Sequence, residues 1–205
     1  MLLVEVGDPA AMDPDTRARV RAVVELLRRR PVRGIIDVVP AYNTIALHAT
    51  VPLGDEVVGE VRQRLAELVG AAPTPGRLVD VPVRYGGVDG PDLEEVAAHA
   101  GLSPSDVITL HAGAVYEVAM VGFSPGFPYL AGLPERLAIP RRTSPRTHVP
   151  AGSVAIGGRQ TGIYPLASPG GWRLIGRTRL SLFNPAQDPP TLLALGDRVR
   201  FVPEG

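Results

Sequence analysis

The chain of 205 residues carries 21 basic and 21 acidic side chains, so it has no net charge with which to gather nucleic acid or an anionic membrane. It contains no cysteine, and all of its Lys+Arg count is arginine, which excludes disulfides, thiolate chemistry, a P-loop lysine, a Schiff base, a biotinyl-lysine and a Ser-Lys amidase centre. The opening MLLVEVGDPAAMDPD places acids where a signal peptide has its basic region, and no apolar run is long enough for a bilayer, so a soluble cytoplasmic protein is expected.

Residues 2–6 are a short apolar run before Gly7-Asp8-Pro9, the pattern of a strand and a turn. Asp13 followed by Pro14 predicts a helix start, and Val20, Val23, Val24 and Leu27 share one face at helical spacing until Pro31 ends it. Arg28, Arg29 and Arg30 look like part of an RNA-binding stripe, but a single basic turn at the negative end of a helix dipole reads as a solvated helix end. Residues 34–39 and 44–51 predict two strands joined at Tyr42-Asn43, with Ile45, Leu47, Ala49 and Val51 alternating onto one face. A helix over 55–69 burying Val58, Val61, Leu65 and Leu68, a Pro/Gly break at 71–76 and a strand at 78–83 complete a βαββαβ order. That order is ferredoxin-like, so residues 1–84 are expected to form a small α+β domain.

The glycines of 86–90, closed by Pro91, mark the expected domain boundary. Two short helices over 92–100 and 103–112 follow, with Gly101 between them and Ser103-x-x-Asp106 as a cap. Their spacing is that of a helix-turn-helix, yet the second helix presents Ser105, Asp106 and Thr109 where a groove reader carries Arg, Lys, Asn or Gln, so nucleic acid is not an expected partner. From Val115 the period changes: short runs at 116–121, 153–156, 174–176, 180–183 and 198–202, separated by turn chemistry, predict a β sandwich or barrel over residues 85–205.

Residues 121–177 carry most of the chemical information, because glycine and proline recur too often for a helix while large apolar residues recur too often for a linker. Arg136, Arg141, Arg142, Arg146 and His148 sit close together with Glu135 as the neighbouring acid, and guanidinium forks suit a carboxylate or phosphate. Arg142 and Arg146, flanking Thr143-Ser144-Pro145, are the expected anion clamp; the competing expectation is that both pair with nearby acids and serve stability alone. Gln160 and Thr161 supply polar flanks, and Phe123, Phe127, Tyr164 and Trp172 either stack on a ligand or pack as core. Gly157-Gly158 and Gly170-Gly171 can expose an anion-binding nest, but neither forms a phosphate motif and tight hairpin turns are the simpler reading. His48, His99, His111 and His148 show no metal spacing, so no metal is expected; His111, at a helix end, is either a general base or structural. GFSPG is not a nucleophile elbow, because Pro125 removes the N–H after Ser124 that an oxyanion hole would use, and no catalytic residue is assigned.

At GFSPGFPYLAGLPERL, PRRTSPRTHVPAGSVAIGG, QTGIYPLASPGGWRLIGRT and GDRVRF the sequence resembles the KipI/PxpB family, whose members are described as the B subunit of bacterial ATP-dependent 5-oxoprolinase, as kinase inhibitors and, in older usage, as allophanate hydrolase subunit 1. LLVEVGD, VVPAYNTIALH, VPVRYGG and DLEEVAAHAGLSPSDVITLH extend the resemblance over nearly the whole chain, with Arg84 where the family often has cysteine. The resemblance implies a cyclophilin-like barrel behind the α+β domain, a KipA/PxpC-type partner and a LamB/YcsF-type PxpA component, and ATP-driven opening of 5-oxoproline to glutamate. It places Phe123, Phe127, Arg142, Arg146, Gln160, Thr161, Tyr164, Gly170, Gly171 and Trp172 in family motifs, implies ATP for the complex without assigning it to this chain, and leaves inhibition of a sensor histidine kinase as the alternative. With neither a P-loop nor a nucleophile–base pair, the chain alone is expected to be inactive.

Overall fold

The computed structural model describes residues 1–7, 13–50, 52–67 and 76–204. The chain separates into two compact units, Met1–Pro75 and Gly76–Gly205. Among the described residues no helix is long and apolar enough to cross a membrane.

In the first unit β1 (Leu2–Glu5), α1 (Pro14–Arg29), β2 (Ile35–Ala41), β3 (Thr44–Ala49) and α2 (Asp55–Ala66) follow in order. The start of α1 is chemically fixed: Asp13 accepts from the Thr16 N–H at 2.9 Å and from its hydroxyl at 2.7 Å, and Pro14 fills the first turn. Its stripe of Val20, Val23, Val24 and Leu27 is buried. At the far end Arg29 reaches back to Glu25 at 3.1 Å and Arg30 pairs with Glu67, so the arginine run is a helix end with acid partners. The central strand β3, with Ile45 and Leu47 fully buried, takes antiparallel neighbours on both sides to give a three-stranded sheet of order β1-β3-β2. The turn at Asp8 and Pro9, Val51, Leu68 and the break at 71–75 lie outside the described residues.

The strand expected to complete a ferredoxin-like sheet goes elsewhere. It is β4 (Leu78–Tyr85), and it lies in the second unit between β11 (Arg173–Arg177) and β12 (Arg198–Pro203), parallel to β12 over its length. Alternation marks a strand and its buried face, here Val81 and Val83, but says nothing about which neighbour it will hydrogen-bond. Ion pairs accompany this pairing: the Arg200 fork grips Asp80 at 2.6 and 2.8 Å, and Arg77 meets Asp197 at 2.9 Å. The chain therefore divides after Pro75, ahead of the glycines at 86–90. Gly90 is a packing position, where a Cβ would stand 2.1 Å from the Ile175 carbonyl oxygen, while Gly86 and Gly87 take positive φ of 71° and 54°.

The second unit is a closed barrel of order β11-β4-β12-β5-β6-β9-β8, with β5 (Val115–Val121), β6 (Pro128–Ala131), β8 (Ser153–Gly157) and β9 (Gln160–Ile163). A separate two-stranded sheet joins β7 (Arg146–Val149) to β10 (Ser168–Gly170). The run at 180–183 is not a strand; it contributes one isolated bridge, Phe183 to Thr191. The helices α3 (Leu93–Ala100) and α4 (Pro104–Gly113) form as the spacing predicts, joined by Gly101 in the left-handed region at φ 63° and started by a Ser103–Asp106 capping box. Their apolar residues Leu93, Val96, Ala97 and Val107 join Val81, Val118, Leu130, Ile156 and Phe201 in one core. A smaller cluster, Phe127, Val149, Ala155, Tyr164, Trp172 and Leu174, forms separately. Alternation along β8 explains both: Val154 and Ile156 belong to the main core, while Ala155 between them belongs to the second cluster on the opposite face.

Candidate functional site

The second cluster does not close over itself. Phe123, Phe127, Tyr129, Arg141, Arg142, Pro145, Tyr164, Pro169, Gly170, Gly171 and Trp172 line a cavity of about 280 Å³. Its walls are aromatic edges and faces: Phe127 meets Tyr164 at 5.1 Å and Trp172 at 5.6 Å between ring centroids, both edge-on, and Tyr129 completes the set at 4.9 Å from Phe127.

Glycines seat these rings. A Cβ on Gly157 would lie 2.5 Å from the Trp172 indole, and one on Gly170 would lie 2.3 Å from the Tyr164 hydroxyl. Gly157-Gly158 also closes the β8–β9 hairpin, with Gly158 at φ 65°, as a tight turn should. Gly170-Gly171 is no hairpin: Gly170 belongs to β10, and the Gly171 carbonyl accepts from the Arg142 N–H at 2.7 Å.

Phe123 stands apart from the other rings. It is 65% exposed, and its φ of 68° is a conformation that bulky side chains rarely adopt. The Ser124 N–H bonds back to the Gly122 carbonyl at 2.8 Å, so Phe123 is the centre of a γ-turn of the strained hand. The turn holds the ring edge-on to Phe127 at 5.6 Å and to Tyr164 at 6.5 Å.

The arginines divide by what they touch. Arg146 spends its fork on Asp92, at 2.9 and 2.7 Å, and Asp92 is 4% exposed and also accepts from the Leu174 N–H at 2.7 Å. Arg142 lines the cavity but leans on the same carboxylate at 3.4 Å and on the Ser144 carbonyl. Arg141 has its guanidinium 5.6 Å over the Trp172 ring and no carboxylate partner among the described residues. The pair singled out in the sequence is thus joined through a buried acid, while the adjacent arginine faces the cavity.

Gln160 and Thr161 are not among the lining residues. Thr161 is fully buried, donating to the Ala155 carbonyl at 2.9 Å and lying 3.0 Å from His111 Nε2. Since the Thr161 proton is spent on Ala155, its oxygen accepts from His111 Nε2–H, which leaves Nδ1 to accept from the Tyr85 hydroxyl at 2.8 Å. Burial pushes the His111 pKa down to about 3, and the ring stacks on Phe201 at 4.5 Å. A fully buried, neutral imidazole with both nitrogens bonded is a strut, and the general-base reading of His111 falls away. In the cavity, burial raises the pKa values of Tyr129 and Tyr164, so both hydroxyls keep their protons near neutrality.

Sequence reasoning names Arg141 in the arginine cluster but favours Arg142 and Arg146 as the clamp, and it leaves Tyr129, Pro145, Pro169 and Asp92 out of the site. Arg141 and Arg142 are neighbours of one residue type, so sequence alone does not say which of them pairs with a carboxylate; Asp92 reads as an ordinary helix-start acid.

Residues 1–193 match the family described as carboxyltransferase domain, subdomain C and D. The chain is 42% identical to the B subunit of 5-oxoprolinase from Bacillus subtilis, over 97% of this chain and 90% of that protein. It is 49% identical to the protein of the same name from Escherichia coli O157:H7, over 93% and 88% respectively. Among solved structures, TTHA0988 superposes with a TM-score of 0.83 at 40% identity, covering all of this chain but only 39% of that longer one. On these matches, which run through both units and the aromatic cavity, the chain belongs to the carboxyltransferase subdomain C and D family, alongside the 5-oxoprolinase B subunits.

Proposed function

We propose that this chain is the B subunit of a multi-component 5-oxoprolinase, which opens the lactam of 5-oxoproline to L-glutamate, and that the aromatic cavity is its contribution to the substrate site. The observation that carries this reading is 42% identity sustained over 97% of the chain to a protein of that name. The cavity supports it chemically. Its lining is mostly apolar, carries arginine and contains no acid, which suits a small, water-poor site for an anionic ring.

ATP belongs to the reaction of the complex. At about 280 Å³ the cavity is small even for a ligand pocket, so we assign nucleotide binding to another component. A KipA/PxpC-type subunit and a LamB/YcsF-type PxpA component complete the enzyme in this reading. The residues of this chain bind, orient and exclude water; none is assigned a bond-making step, and the isolated chain should turn over nothing. Co-expression with the two partners, followed by measurement of 5-oxoproline-dependent ATP hydrolysis, tests the assignment. Activity in the assembly and none in the chain alone is expected; activity without this chain would refute it.

A further inference from the structure

The arginine that best fits a ligand is the one the surrounding structure does not use. Arg146 has both fork nitrogens on Asp92 and cannot turn to a ligand without uncovering that buried carboxylate, and Arg142 is drawn to the same acid at 3.4 Å and to the Ser144 carbonyl. Arg141 has no such tie among the described residues. Its guanidinium carbon lies over the Trp172 ring at 5.6 Å from the centroid, a contact that needs no hydrogen-bond acceptor and so leaves its N–H edge for a partner. No aspartate or glutamate lines the cavity to compete for that edge.

We propose that Arg141 is the carboxylate receptor of the cavity and that the ligand it selects is a small monocarboxylate with a compact neutral ring. Resting on the function proposed above, that ligand is 5-oxoproline itself. The carboxylate lies against the Arg141 edge, and the ring lies among Phe127, Tyr164 and Trp172. Phe123, held outward by its strained turn, covers the open side. Tyr164 lines the cavity and its hydroxyl accepts from the Trp172 backbone N–H, which leaves its own proton to donate to a lactam oxygen, as a purely apolar pocket could not do. Charge recognition at Arg141 therefore separates the acid from its neutral amide, while the ring wall excludes extended anions.

Trp172 is the single tryptophan of the chain, so its emission reports on this cavity alone. The purified full chain would be titrated with 5-oxoproline, with 5-oxoproline amide and with inorganic phosphate, following Trp172 emission and binding heat. Saturable binding of the acid is expected, with the amide and phosphate weaker by about tenfold or more. Arg141→Gln should lose about the same factor and Arg141→Lys should regain part of it, while Arg28→Gln on α1 should match the wild type. In the assembled enzyme Arg141→Gln should raise KM for 5-oxoproline by about tenfold or more and leave KM for ATP unchanged. Equal affinity for acid and amide, equal affinity for phosphate, or a wild-type KM in the Arg141→Gln complex would each overturn the proposal. The two readings fail separately. A wild-type assembly that ignores 5-oxoproline while the chain still prefers acid to amide refutes the enzyme and leaves the receptor standing. An active assembly indifferent to Arg141→Gln does the reverse.

Discussion

Inside the barrel, the polar groups of Tyr85, His111 and Thr161 are all matched to one another; on the opposite face of the same β8–β9 hairpin, aromatic rings leave a cavity open and one arginine waits beside it. Both faces are built from residues that sequence reasoning could equally call functional. What separates them is whether hydrogen-bonding capacity is already used. A buried donor or acceptor that finds its partner inside the fold contributes rigidity, and only a group left with spare capacity at an accessible wall can recognise something else. By this measure His111 and Arg146 are framework, and Arg141 is the residue proposed for the site.

The largest effect that could break this contrast lies at Asp92. Asp92→Ala should destabilise the second unit by about 3–5 kcal/mol, because it leaves the Arg146 guanidinium partly buried without its counter-charge and the Leu174 N–H without an acceptor. Chemical denaturation measures it. Arg146→Ala should be costly for the same reason, since the buried carboxylate then loses the fork that neutralises it. If instead Arg146→Ala folds with wild-type stability and loses only ligand affinity, Arg146 belongs to the site and the contrast is drawn in the wrong place.

The second test is acid. His111 is neutral in the fold, with a pKa near 3 against about 6.5 in the unfolded chain, so between those values the unfolded state binds the extra proton. Stability contributed by the neutral imidazole is complete above pH 6.5 and is lost as the pH falls towards 3, with about 3 kcal/mol gone by pH 4. Denaturation midpoints followed from pH 7 to pH 4 should show this slope, and His111→Gln, less stable at neutrality, should flatten it. An unchanged slope in His111→Gln would mean that the acid sensitivity arises elsewhere.

Local chemistry was legible in the sequence wherever the decisive partner is near in the chain. The Asp13-Pro14 start of α1, its valine stripe and the Ser103–Asp106 box were readable because each bond spans only a few residues. The assignment of β4 was not, since its register with β12 joins residues such as Asp80 and Arg200 that sit at opposite ends of the unit. The short strands β6, β7, β9 and β10 were missed for a related reason: at three or four residues each, they are too brief for alternation to show. In the site, Phe123, Phe127, Arg142, Tyr164, Gly170, Gly171 and Trp172 all lie in the ring- and glycine-rich segment that the sequence singles out and line one cavity, with Gly157 and Gly170 leaving room for the Trp172 and Tyr164 rings. Arg146, Gln160 and Thr161 were grouped with them by proximity in sequence, and β-strand alternation turned Thr161 to the other face.

A smaller effect sharpens the outer half of the comparison. Gly157→Ala adds a Cβ 2.5 Å from the indole carbons of Trp172, so the ring must shift or the strand must bend. A cost of about 1–3 kcal/mol is expected, the scale of overpacking, together with altered Trp172 emission in the absence of ligand. Gly158→Ala, where a Cβ meets nothing, should bear only the cost of its φ of 65° and leave the emission unchanged.

The smallest expected effect has the most informative sign. Phe123 holds a positive φ that glycine adopts freely, and much of its ring is in solvent, so its burial returns little to the fold. Replacing it with glycine removes the backbone strain and forfeits two edge-on ring contacts, at 5.6 and 6.5 Å. The balance should leave Phe123→Gly as stable as the wild type or more stable by about 0.5–1 kcal/mol. Phe123→Ala keeps the strain and loses the ring, so it should be the less stable of the two. If the exposed ring is there for a ligand, both variants should weaken 5-oxoproline binding by a similar factor, and Phe123→Gly would then gain stability while losing function. A Phe123→Gly variant that loses stability and binds 5-oxoproline as the wild type does would show that the strain is held for packing, and that the outer face, like the inner one, is framework at this position.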